Sequence, residues 1–251
     1  MTDNGGARVV VRRADERYRG GDIAAGIDTR HAFSFSGFYD PDNIRFGPLT
    51  ACNEERIAPG GGYEEHRHRD LDIVTWVVEG ELTHRDSTGR TTVVRPGDVQ
   101  RLSTGAGARH VERNDGPAPL RFLQMWLLPR EPGGEPEYEV VRGIADATRY
   151  ALPRTDAVLH VRRPRVGEDV PVPDAPLVHL QVVRGRARLG EWTLAAGDEA
   201  RISAPGDDLV VTAVAEGGGD AGDVPTRAGR AGGPGHVELL MWELGEPPGP
   251  G

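Results

Sequence analysis

The 251-residue chain holds 35 glycines, 20 prolines and a hydrophobic fraction of only 37%. That mix disfavours long helices and suits short strands joined by turns, in one large or two small domains. A net charge of −9 argues against a nucleic-acid surface, no apolar run approaches the roughly 20 residues of a membrane span, and the single cysteine, Cys52, excludes an internal disulfide. With no signal-peptide core at the N-terminus, a soluble cytoplasmic protein that contacts neither membrane nor nucleic acid is the expectation. Every basic residue is arginine, which reads as the coding bias of a GC-rich genome rather than as chemistry.

Residues 7–13 read as an opening strand, and residues 31–39 (HAFSFSGFY) alternate aromatic and small side chains as a strand with one buried face does. The cluster at residues 40–43 is a turn, and LTACNEERIAP with Gly60, Gly61 and Gly62 is a strand and turn. His66 and His68 then stand one residue apart, so on a strand both face the same way. LDIVTWVVEGELTHRDS is a hairpin signal around Glu79 and Gly80, and TTVVRPGDVQRLS repeats the scheme around Pro96, Gly97 and Asp98. His110 and Glu112 repeat the same-face spacing, with Gly105 and Gly107 before them allowing unusual backbone angles and close packing. RFLQMWLLP closes the run with an apolar strand. Strands and turns at this spacing argue for a sandwich or barrel, whose interior has room for one small ligand.

Residues 129–137 are rich in proline and glycine and mark a boundary: 1–130 with the His/Glu cluster, 131–251 without it. The second half repeats the first at lower intensity. Val183-Arg184-Gly185-Arg186 echoes Val78-Glu79-Gly80-Glu81, and Ala196-Gly197-Asp198 echoes Pro96-Gly97-Asp98, as an internal duplication would. Residues 216–235 are glycine-rich and read as a mobile loop, HVELLMWEL as a strand, and EPPGPG as a frayed tail.

Three imidazoles and a carboxylate from His66, His68, His110 and Glu112 suit one divalent first-row ion: Fe(II), Mn, Ni, Cu or Zn. Four protein ligands would leave two positions open on a metal that prefers six. The other histidines are assigned bland roles: His31 and His84 at the surface or hydrogen-bonded, His160 and His179 isolated. Trp76, Trp126, Phe33, Phe35 and Phe38 are assigned to the core, and Cys52 is read as an inert core thiol.

These residues resemble the cupin motifs GxxxxxHxHxxx(x)E and PxGxxHxxxN, met by Gly60, His66 and His68 and by His110 and Asn114. The finer pattern, HAFSFSGFYDP, IVTWVVEGELTHRDS, RPGDVQ and GAGARHVERN, is similar to pirins, strongly over residues 8–130 and weakly beyond. The resemblance implies an all-β bicupin, two cupin-type barrels in tandem with metal only in the first. It implies His66, His68, His110 and Glu112 as ligands, with Fe(II) the first choice. The cupin glutamate falls on Asp72, a supporting or structural position, and the cupin proline on Gly105. Glu64 and Glu65 make the approach to the HxH unusually charged and bear on pocket entry. The activity implied is quercetin 2,3-dioxygenation, opening a flavonol with O2 and releasing CO, with Glu112 as the base. The alternatives are a metal-dependent redox-sensing or protein-binding regulator without turnover, and a dioxygenase of another catechol-like or enolisable substrate.

Overall fold

A computed structural model describes residues 6–216 and 236–246. The expected loop at 216–235 lies outside the described residues from 217 onward, as does the tail from 247. The fold is all β: among the described residues the only helical segment is a 3-10 turn, Ala14–Glu16, and no helix is long and apolar enough to cross a membrane. In chain order the strands are β1 (Arg8–Arg12), β2 (Tyr18–Asp22), β3 (Ile27–His31), β4 (Leu49–Ile57), β5 (Gly62–His68), β6 (Asp72–Glu79), β7 (Leu82–Asp86), β8 (Thr91–Val94), β9 (Val99–Ser103), β10 (Ala108–Arg113) and β11 (Leu120–Leu127). They continue with β12 (Glu137–Val141), β13 (Thr148–Ala151), β14 (Ala157–Arg162), β15 (Asp169–Pro171), β16 (Leu177–Arg184), β17 (Arg186–Leu189), β18 (Trp192–Ala195), β19 (Glu199–Ser203), β20 (Val210–Val214) and β21 (Glu238–Leu244).

The chain forms two compact units. The N-terminal unit comprises Asp15–Ala145, Tyr150–Val158 and Leu244–Gly251; the C-terminal unit comprises Met1–Ala14, Asp146–Arg149 and Leu159–Glu243. One seven-stranded sheet has the order β12-β9-β6-β11-β4-β3-β2, with a four-stranded partner, β5-β10-β7-β8. A six-stranded sheet, β1-β19-β16-β21-β14-β13, has its own four-stranded partner, β15-β20-β17-β18. Each expected barrel is thus a sandwich of two separately hydrogen-bonded sheets, the cupin plan without full closure. Strand for strand, β12-β9-β6-β11-β4-β3 occupies the places of β1-β19-β16-β21-β14-β13, so the duplication echoed in sequence is present in topology.

The expected boundary after residue 130 is displaced, for a reason of pairing. Strand β12 lies along β9 (Glu137↔Ser103, Val141↔Val99) and completes the N-terminal unit. The opening strand β1 lies along β19 (Arg8↔Ser203, Arg12↔Glu199) and completes the C-terminal unit. Each exchange is fixed by the same device. Asp98 accepts from the Arg95 N–H at 3.0 Å and pairs with Arg142, just past β12, at 2.6 Å. Asp198 accepts from the Ala195 N–H at 3.0 Å and pairs with Arg13, just past β1, at 2.8 Å.

Strand β6 is buried along nearly its whole length, as a run of Ile73, Val74, Trp76, Val77 and Val78 interrupted only by Thr75 requires. Ile27, Ile57, Val77, Leu82, Val94, Leu120 and Phe122 join the two sheets of the N-terminal unit at one end, which leaves the other polar residues of its interior to frame a site. In the C-terminal unit Val170 and Val211 lie opposite each other in the β15–β20 pair and are buried in an apolar core. This is the place that β5 and β10 hold in the first unit. The strand expected over 31–39 stops at His31. The chain turns back at Phe35 and Phe38, whose backbones bond each other at 3.0 Å, and Ser36 takes a positive φ of 54°.

Candidate metal centre

Strands β5 and β10 run antiparallel with His110 directly opposite His66. Past that pair the register shifts: Glu112 faces Tyr63, so Glu64 and Glu65 together oppose Val111. This bulge in β5 is the kind that re-aims side chains beside a site. His66, His68 and His110 each offer a nitrogen, all within 4.8 Å of one another. The ring centroids are 4.4 Å apart for His66 and His110, 4.8 Å for His66 and His68, and 5.2 Å for His68 and His110. Glu112 falls within the same limit of His110 and of His84 on β7, a second grouping that shares His110.

Hydrogen bonds set the tautomers. His66 Nδ1 lies 2.7 Å from the Glu64 carbonyl oxygen, which only accepts, so Nδ1 carries the proton and Nε2 the lone pair. His110 Nδ1 lies 3.4 Å from His84 Nδ1, and Nε2 of each is buried with no hydrogen-bond partner. If His110 Nδ1 donates to His84, the His110 Nε2 lone pair is left for a cation. A buried nitrogen without a partner is costly unless something fills the place.

Glu112 is clamped by two amides. Gln124 Nε2 donates to one oxygen at 2.8 Å and Gln100 Nε2 to the other at 3.3 Å. Each amide is oriented from behind: Trp126 Nε1 donates to Gln124 Oε1 at 3.0 Å, and the Tyr138 hydroxyl donates to Gln100 Oε1 at 3.0 Å. The Tyr138 ring also stacks on His84, centroid to centroid at 4.5 Å. Burial pushes the Glu112 carboxyl up, but His110, His84, the Gln124 amide and His66 outweigh it and hold it below its ordinary value. Burial drives His68 down to about 4, with His110 and His66 acting the same way against Glu112. Burial likewise lowers His110, against Glu112. His68 and His110 are therefore neutral at pH 7, the form that binds metal.

Beside the histidines lies a cavity of about 500 Å³ between the two sheets of the N-terminal unit. Period-two alternation lines it with Thr29 and His31 from β3, Asn53 and Glu55 from β4, and Gln124 and Trp126 from β11, while the bulge in β5 brings in Tyr63 as well as His66 and His68. Phe35 stacks on His31 at 4.8 Å and meets Trp126 edge-on at 5.0 Å; Trp126 in turn meets His68 at 4.9 Å. The cavity is polar at the histidines and aromatic along one wall.

Residues 11–127 match the Pirin family model. A Mycobacterium tuberculosis (strain H37Rv) protein named "Putative quercetin 2,3-dioxygenase Rv0181c" is 38% identical over 215 residues, 78% of this chain and 87% of its own length. The chain belongs to the pirin family. An Escherichia coli K12 relative named quercetin 2,3-dioxygenase is 38% identical over 132 residues, 52% of this chain and 56% of its own. The crystal structure of the bacterial pirin YhhW from Escherichia coli in complex with nickel(II) superposes with a TM-score of 0.79 at 26% identity, covering 96% of this chain and 100% of that one.

In this pirin the three histidines singled out from sequence lie together and Glu112 lies with His110 and His84, but the supports around them were missed. His84, expected at the surface or hydrogen-bonded, is buried and hydrogen-bonded to His110 because β7 sits beside β10 with His84 opposite Glu112. Gln100 and Gln124 are buried amides, and a buried amide needs partners; Gln124, flanked by Phe122, Leu123, Met125 and Trp126, was the available signal. Tyr138 comes from a segment assigned to the other half of the chain. Trp126, expected in the core, lines the cavity, whereas Trp76 is fully buried. Asp72 is buried and accepts from the Ser103 hydroxyl and, at 2.6 Å, from Thr155: a structural tie. Gly105 has a positive φ of 50°, and a side chain there would collide with the Gly134 carbonyl. Glu64 and Glu65 are tied to Arg113 at 2.6 Å and Arg109 at 3.0 Å, and Glu64 also lines the cavity. Cys52 is a buried thiol. His31 and His160 are hydrogen-bonded, to Asn53 at 3.1 Å and Glu243 at 2.9 Å, and His179 lies 3.2 Å from Glu199.

Proposed function

We propose that this chain is a metal-dependent dioxygenase that opens a flavonol such as quercetin with O2. The observation that supports the reading is the grouping of His66, His68 and His110 beside an aromatic-walled cavity that His66, His68 and the amide-clamped Glu112 line. A volume of about 500 Å³ fits a small aromatic molecule. The names of the relatives and the nickel(II) complex of YhhW support the same reading.

The residues fit a divalent ion. The partnerless Nε2 of His110 and the lone pair left on His66 are what a coordinating set presents. His66, His68, His110 and Glu112 would hold it, with Fe(II) the first choice and Mn, Ni, Cu or Zn the alternatives. When bound, such an ion acts as a Lewis acid that lowers the pKa of a substrate hydroxyl. The chain supplies the rest. Phe35, stacked on His31 and met edge-on by Trp126, gives the flavonol rings an aromatic wall to pack against. Gln100 and Gln124 donate to the two oxygens of Glu112 and keep it in place. A carboxylate whose two oxygens already accept from amides suits a ligand better than the proton acceptor expected from sequence.

The test is to load the protein with each of the five metals, add quercetin without air, and then admit O2. Oxygen uptake with CO release is expected with at least one metal. Absence of CO with all five would remove the reading.

A further inference from the structure

The cavity holds a second buried carboxyl, on Glu55 of β4, and its surroundings differ from those of Glu112. Glu55 is 2% exposed and lines the cavity. Its contacts are two neutral hydroxyls, both on Oε2: Thr29 donates at 2.5 Å and Tyr63 at 2.9 Å. Oε1 accepts a hydrogen bond from no described residue, and no described cation pairs with the group. Arg56 and Arg121 are instead bound to Glu54, which alternation turns to the other face of β4. A buried carboxylate facing a ligand cavity without a cation is an expensive structural choice, and β4 carries it where an apolar residue would pack.

We propose that Glu55 is the proton acceptor of this site, taking the proton of the acidic hydroxyl of a flavonol bound against Trp126 and Phe35. The inference rests on the flavonol reading above and names the residue that serves it. In the step, the substrate O–H bond breaks, the proton passes to Oε1 of Glu55, and the electron pair remains on the substrate oxygen as an enolate. No oxidant or second reactant enters. Thr29 and Tyr63 hold the carboxyl, and their own oxygens lie 3.4 Å apart. The chemistry agrees with the geometry. Burial raises the Glu55 carboxyl to about 7 against the pull of Thr29 and Tyr63, with the nearby anions Glu112 and Asp28 adding to the rise. An acceptor matched to neutral pH transfers protons most effectively. Glu112, with both oxygens engaged by Gln100 and Gln124, leaves this role to Glu55.

The test uses the full chain loaded with zinc, which does not take part in redox chemistry, and 3-hydroxyflavone as the probe at pH 7. Infrared difference spectra on binding should show a new carboxylic-acid C=O band in wild type. Glu55→Gln should lose that band and require at least a tenfold lower proton concentration to ionise the bound flavonol, read from its absorption spectrum. Glu55→Asp, which keeps a carboxyl, should shift the band rather than delete it. A band that persists in Glu55→Gln, or flavonol ionisation unchanged by it, would overturn the proposal while leaving the flavonol reading intact. So would loss of zinc from Glu55→Gln, which would make Glu55 part of the metal's support. Failure of wild type to bind 3-hydroxyflavone would instead remove the flavonol reading and this inference with it.

Discussion

Glu112 and Glu55 are two carboxyls of one cavity shifted in opposite directions: the first downward by His110, His84, the Gln124 amide and His66 against burial, the second upward by burial against two neutral hydroxyls. The Glu55 difference is measurable as stability. A carboxyl raised from 4.5 to about 7 stays protonated in the fold while the unfolded chain has released its proton. The fold then loses stability as pH rises from 4.5 toward 7 and loses no more above it. At about 1.4 kcal/mol per unit the whole loss is roughly 3 kcal/mol. Metal-free Glu55→Gln should therefore melt close to wild type at pH 5 and clearly above it at pH 8; an equal difference at both values would refute the assignment. His84 is placed to act through a neighbour, since its Nδ1 lies 3.4 Å from Nδ1 of His110. Partners of this kind change metal affinity by about 10–100-fold. His84→Ala should weaken metal binding by about that factor in a competition assay with the fold retained by circular dichroism, and unchanged affinity would assign His84 to packing alone.

At the scale of the strand, the period of two made His66 with His68, and His110 with Glu112, legible as same-face pairs. The bulge at Glu64 and Glu65 was not legible, because it depends on what lies across the sheet. Gly62 shows the reason: it has a positive φ of 149°, and a side chain there would collide with the Glu112 carbonyl, so it lets β5 approach β10. In the sequence it was only one of three consecutive glycines. Residues 31–39 were misread in the other direction. Their aromatic alternation imitates a strand, yet Phe35 spends its ring on the cavity wall rather than on a sheet face. The clamps on Glu112 were hidden because Gln100, Gln124 and Tyr138 come from three separate strands, and nothing local to any of them points to a carboxylate.

Across the whole molecule, the echoes at Asp98 and Asp198 identified the duplication, but not the crossing of strands that it produces. A five-residue apolar strand such as β1 carries no label for its partner, so the opening residues read as part of the first half. They complete the second: Val9 and Val11 pack against the C-terminal core, and Arg13 pairs with Asp198. Deleting residues 1–13 should cost the C-terminal unit roughly 2–4 kcal/mol, from two partly buried valines and the lost edge pairing. That corresponds to a fall of about 10 °C or more for a unit of this size, read by calorimetry on the metal-loaded chain. An unchanged transition would contradict the exchange. The duplication also places a counterpart to the candidate centre in the other unit, and there, among the described residues, Val170 and Val211 fill with apolar contacts the place where β5 and β10 present histidines. The proposed activity requires one ion held among His66, His68, His110 and Glu112. An anomalous-scattering map of metal-loaded crystals tests this most directly. One peak is expected, about 2.0–2.2 Å from a nitrogen of each histidine and an oxygen of Glu112; a peak held by His84 in their place, or no peak at all, would contradict it.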